Sequence, residues 1–113
     1  MNNLILMRGD THNLKFQRLD NEGNPILSKA EKIYFTVKIR PYASDFVLQK
    51  TIENMTFDSN GFYHFTIEPS DTDSLEPWTY VYDVEIIDGE YKQTISTGSV
   101  KIIADVTIPA NEV

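Results

Sequence analysis

The chain has no cysteine. Disulfide staples, thiolate metal sites and cysteine nucleophiles are therefore excluded, and stability has to come from packing. Basic residues are scarce as well: 10 Lys and Arg stand against 17 Asp and Glu, for a net charge of −7. Non-specific nucleic-acid binding needs Lys and Arg to displace counterions, and an anionic membrane surface selects the same sign. Neither nucleic acid nor membrane is expected as a partner. The apolar run at the start, Leu4 to Met7, is four residues long. That is too short for a signal peptide or a membrane span, so synthesis in the cytoplasm without a signal peptide is expected. Only five glycines are present, and each has a turn or bulge to serve. Glycine-rich phosphate loops, nucleophile elbows and paired catalytic carboxylates are absent, so neither an enzyme nor a cofactor is expected.

What the chain does have is aromatic residues and alternation. Six Tyr and six Phe in 113 residues favour sheet over helix bundle, and the length fits one domain. The organising stretch is 79–87. Tyr80, Tyr82, Val84 and Ile86 fall on one side at a period of two, with Asp83 and Glu85 on the other. This is the pattern of a half-buried strand, and it reads as the central strand of the fold. Ile33, Phe35, Val37 and Ile39 alternate in the same way until Pro41. Leu14 and Phe16 mark another strand, Tyr63, Phe65 and Ile67 a further one, and Val100 and Ile102 the inward positions of the last.

Turn formers separate these runs. Asp20 to Pro25 reads as a surface loop, while Asn60-Gly61 and Asp88-Gly89 read as tight turns. Phe46 to Ile52 is expected to be an edge strand with Phe46, Leu48 and Lys50 on one face. Ser28 to Glu31 fits a single helical turn. Ser70 and Asp73 have the spacing of a helix-start box, which predicts one turn that drops Leu75 onto the core. Gly98 is expected at a bulge or bend. Tyr80 fits a corner tyrosine whose hydroxyl bonds back to the backbone upstream.

Seven or eight short strands with a turn every ten or so residues predict an all-β, two-sheet antiparallel sandwich, with a small closed barrel as the competitor. Parallel pairing is not expected, because no crossover helix is available. The sandwich is expected over 1–104, with 105–113 as a tail extended around Pro109.

Few side chains suggest chemistry. Arg8-Gly9-Asp10 matches an integrin-binding tripeptide, but a turn between two strands explains it more simply. His12 and His64 are the two histidines, far apart in sequence and in no metal-ligand spacing. His64 is expected to face solvent without an orienting partner. Asp71, Asp73 and Glu76 lack the regular spacing of a calcium loop, and helix capping explains them better. No metal site is expected. The candidate contact residues are Trp78, Tyr34 and Arg40. Trp78 is the one aromatic expected to stay partly exposed, and with Tyr34, expected to be exposed on its strand, it offers an alternative reading as a carbohydrate-binding module.

The order of several short pieces carries a resemblance. They are Arg8-Gly9-Asp10-Thr11, Asp20 to Ile26, Ile33 to Val37, Leu48 to Thr51 and Asn60-Gly61-Phe62. Asp71-Thr72 with Leu75, Thr79 to Val84, Thr97 to Ile102 and Asp105-Val106-Thr107 complete the set. Together they resemble the small immunoglobulin-like modules of tailed phages and prophages, above all the N-terminal modules of baseplate upper proteins and related tail proteins. The position before Thr79 is usually glycine in such modules and is Trp78 here. The resemblance implies a non-catalytic virion protein made in the bacterial cytoplasm. Its partners would be other tail or virion proteins, and it would form a homo-oligomer, a ring or trimer, in the particle.

Overall fold

The computed structural model describes residues 2–106. In chain order the elements are β1 (Leu4–Met7), β2 (His12–Gln17), β3 (Lys32–Lys38), β4 (Leu48–Thr51), β5 (Thr56–Phe57), β6 (Phe62–Ile67), α1 (Pro69–Thr72), β7 (Thr79–Asp88) and β8 (Tyr91–Ile103). A 3-10 turn at Ile52–Asn54 links β4 to β5. Among the described residues the eight strands form two sheets. One has five strands in the order β1-β8-β7-β3-β4, and the other has three in the order β2-β6-β5. β7 is the middle strand of the larger sheet.

The alternation places the core. Tyr80, Tyr82, Val84 and Ile86 of β7 are buried, as are Ile33, Phe35 and Val37 of β3 and Val100 and Ile102 of β8. From the smaller sheet, Phe16, Tyr63, Phe65 and Ile67 face them. Phe35 and Phe65 touch across the two layers with ring centroids 4.9 Å apart. Phe16 stacks on Tyr63 at 5.2 Å within the smaller sheet. Burying one such aliphatic or aromatic side chain contributes about 1.5–3 kcal/mol. The chain is therefore an all-β, two-layer structure with one shared interior.

The polar ends of buried aromatics are satisfied by backbone. Tyr80 donates its hydroxyl to the Glu76 carbonyl at 2.7 Å, as a corner tyrosine should. Burial pushes that hydroxyl's pKa up. The Tyr82 hydroxyl donates to the Asn2 carbonyl at 2.6 Å, and the Ala30 N–H donates to the Tyr63 hydroxyl at 2.8 Å.

Several expectations need correction. The pairing is not wholly antiparallel: β1 runs parallel to β8, with Leu4 opposite Val100 and Met7 opposite Ile103. No crossover helix is needed, because the connection between β1 and β8 is the whole intervening fold. Gly98 is not a bulge. It sits in register opposite Tyr82, and the shift lies at Ile95, between the Val84–Ser96 and Glu85–Thr94 pairs. Residues 26–31 carry no helical turn. The helix-start box sits two residues earlier than expected. Asp71 Oδ2 accepts the Glu68 N–H at 2.7 Å, and α1 begins with Pro69. Leu75 does pack on the core, half-buried. β4 is an edge strand but starts at Leu48, which leaves Phe46 outside it and exposed. The turn after β7 is Gly89-Glu90, with Gly89 at φ +63°. Asp105 and Val106 pair with no strand among the described residues, and the rest of the expected tail, including Pro109, lies outside them.

Candidate functional site

Two surfaces stand out. The first is apolar and follows from the β1–β8 pairing. With Leu4 and Leu6 turned inward, Ile5 and Met7 must face outward, and Ile103 lies beside Met7 in register. Ile5 is 67% exposed, and Trp78, which shares a groove of about 320 Å³ with Pro77, Lys101 and Ile103, is 61% exposed. The Ile102 N–H donates to the Trp78 carbonyl at 2.9 Å, which fixes the tryptophan's backbone beside β8.

The patch is held in place by the Arg-Gly-Asp turn. The Arg8 guanidinium pairs with Asp105 at 3.0 Å and also reaches the Leu75 carbonyl at 3.4 Å. Arg8 holds the Asp105 carboxyl below its ordinary pKa. Gly9 adopts φ +80° and donates its N–H to the buried Thr72 hydroxyl at 2.8 Å. The tripeptide is thus tied into the fold at all three residues, since the Asp10 N–H also returns to the Met7 carbonyl.

The second surface is a polar groove of about 510 Å³ on the smaller sheet. β5 is two residues long while β6 is six, so β6 continues past the end of its neighbour. Asn54 and Lys50 close the notch from the side, and His64, Thr66 and Glu68 line it from β6 and its end. Lys50 shares the inward face of β4 with Leu48, as expected, and forms an ion pair with Asp71 at 2.8 Å. That pair also accounts for one acid of the suspected calcium cluster. Among the described residues no group of three or more His, Asp or Glu is placed to hold a metal ion.

His64 does not stand free in solvent. Its Nε2 lies 2.8 Å from Asp58 Oδ2 and the ring is half-buried, so the expectation of no orienting partner is corrected. The hydrogen bond from His64, joined by the Phe62 N–H, holds the Asp58 carboxyl below its ordinary pKa. The other Asp58 oxygen accepts the Asn60 and Phe62 N–H groups, which closes the turn at Asn60-Gly61. His12 reaches the Met7 carbonyl at 3.2 Å and has no part in this groove.

The three contact residues picked from sequence are not one surface. Trp78 belongs to the apolar patch. Tyr34 is half-buried rather than exposed, midway along β3 between Thr51 and Glu85. Arg40 lies beyond β3 with its guanidinium 5.6 Å from the Tyr42 ring. Trp78 is also not the one exposed aromatic, since Tyr42, Phe46 and Tyr91 are exposed as well. Nothing in the sequence marks Ile5, Met7 and Ile103, because their exposure depends on a pairing between the first and last strands. The Asp58–His64 pair did leave a signal. A turn at Asn60-Gly61 sets Asp58 opposite Phe62, and His64 is then the diagonal neighbour on the same face.

No helix among the described residues is long and apolar enough to cross a membrane. Neither a scan against protein-family models nor a search of curated proteins finds a match to the chain.

Proposed function

We propose that this chain is a non-catalytic phage or prophage virion protein, a tail or baseplate component with an immunoglobulin-like topology, acting through protein–protein contacts. The observation that carries the contact reading is the outward strip of Ile5, Met7, Ile103 and Trp78 beside the β1 edge. A monomer gains nothing by exposing such a strip, and tryptophan is among the residues that dominate protein interfaces. An open edge strand beside it adds unpaired backbone groups for docking.

The strand order supports the immunoglobulin-like part. β7, β8 and β3 with β4 correspond to the larger sheet of a variable-type sandwich, and β2-β6-β5 to the opposing sheet. Tyr80 at the start of β7, bonded to Glu76, supports the same reading. The viral assignment itself rests on the ordered sequence pieces that resemble phage modules. Other virion proteins are its partners, and a ring or trimer of the chain in the particle is its working form.

Negative-stain imaging of particles assembled with a gold-labelled copy tests the proposal. A label at the tail or baseplate is expected. A label found nowhere on the particle overturns it.

A further inference from the structure

The polar groove presents hydrogen-bonding groups that are already oriented. Asn13 Oδ1 accepts the Thr66 hydroxyl at 2.9 Å, which turns the Asn13 amide NH2 outward. Asn54 Oδ1 accepts the Thr51 N–H at 2.9 Å and leaves its NH2 available in the same way. With Nε2 committed to Asp58, Nδ1 is the His64 ring nitrogen left for a ligand. The backbone contributes as well. In the β5–β6 hairpin Asp58 bonds to the Phe62 carbonyl, so Phe62, His64 and Thr66 direct their backbone groups to the β5 side. β5 has ended before Thr66, and the Thr66 N–H and C=O point toward the vacated space. Glu68 adds a carboxylate at the same end.

The charge selects the ligand class. Lys50, which lines the groove, is committed to Asp71 at 2.8 Å, Lys15 opposite His64 sits over the Phe62 ring at 4.7 Å, and Glu68 adds a carboxylate charge with no ion pair among the described residues. A phosphate or other anion is therefore disfavoured. Amide donors from Asn13 and Asn54 beside the Glu68 carboxylate suit hydroxyls, which both donate and accept. The volume lies within the range of small-ligand pockets.

We infer that this groove binds a neutral saccharide through Asn13, Asn54, His64 and Thr66. The site is separate from the apolar strip and independent of the assembly role, so either can fail without the other.

Nitrogen-15 NMR titration of the full chain with glucose, galactose, N-acetylglucosamine and rhamnose, and with inorganic phosphate as control, tests the inference. Saturable shifts with at least one sugar are expected at the Thr66 amide and at the Asn13 and Asn54 side-chain amides. Asn13→Asp and Asn54→Asp keep the oxygen that Thr66 or Thr51 needs, remove the amide donor and add one negative charge, which a neutral sugar tolerates better than phosphate does. Each is expected to weaken binding tenfold or more with the spectrum otherwise retained, whereas Trp78→Ala leaves it unchanged. The inference is overturned if none of the four sugars gives saturable shifts. It is overturned as well if the shifts centre on Trp78, if phosphate alone responds, or if both Asn→Asp variants bind like the parent.

Discussion

Gly98 lies opposite Tyr82 in the β7–β8 ladder, and a Cβ at that position would stand 3.1 Å from Tyr82 Cε1 and 3.0 Å from Asn3 Oδ1. The tyrosine has little room to yield, because its ring is buried and its hydroxyl is fixed to the Asn2 carbonyl. Gly98→Val is expected to destabilise the fold by about 1–3 kcal/mol through overpacking. Urea denaturation of the variant beside the parent measures it. An unchanged midpoint would show that β1 shifts freely to make space.

Tyr80→Phe keeps the ring and removes one hydrogen bond to Glu76. The expected loss is about 1 kcal/mol, the typical net value of such a bond. Thermal and urea unfolding should agree, with the near-ultraviolet circular dichroism of the folded state retained.

Asp58 and Asp83 should give opposite acid responses. His64 and the Phe62 N–H lower the Asp58 pKa from 3.8. Its contribution is therefore complete above 3.8 and disappears as pH falls through the lower folded value. Asp83 is raised by burial first and by Glu85 second, against the opposing pull of Lys38. Folding then favours its protonated form, an advantage that is full below 3.8 and lost as pH rises through the folded value. Asp58→Asn should lower stability at pH 7 and flatten the acid limb, while Asp83→Asn should raise stability at pH 7. Denaturation midpoints from pH 2 to 7 decide both signs.

Arg18 is 6% exposed and reaches Asp88 at 3.3 Å and the Ser28 carbonyl at 3.2 Å, while its Nε has no hydrogen-bond partner among the described residues. Removing the acid strands a buried cation, so Asp88→Ala is expected to cost about 1–3 kcal/mol. Arg18→Met takes the charge away and keeps most of the packing volume. It should cost less than Asp88→Ala, and the reverse order would show that the ion pair is not what matters there.

Trp78→Ala should leave monomer stability within about 0.5 kcal/mol, since the side chain is 61% exposed. On the proposed virion role, incorporation of the variant into particles, read by immunoblot of purified virions, should nevertheless fall severalfold.

The sequence made the middle of the fold readable and its margins obscure. β7, β3 and β6 each bury three or four side chains at a period of two, and the hydrophobic effect writes that spacing directly into the chain. Glycines at φ +86° and +63° made two turns visible as Gly61 and Gly89. By contrast, β1 is four residues long and its partner is the last strand, so nothing local to Leu4–Met7 states which way it runs. The apolar strip inherits that obscurity. The groove was hidden for another reason: it arises where β5 stops, and a two-residue strand has too few residues to show a pattern.

The parallel pairing of β1 and β8 has a mechanical side. Both strands run the same way, so a pull applied through Asn2 and through Ala104 acts along their shared axis from opposite ends. Such a force loads the ladder between Leu4–Met7 and Val100–Ile103 in shear, all bonds together, and cannot unzip them one at a time. The first and last strands thus act as a clasp under tension, a useful property in any assembly that is stretched along its length.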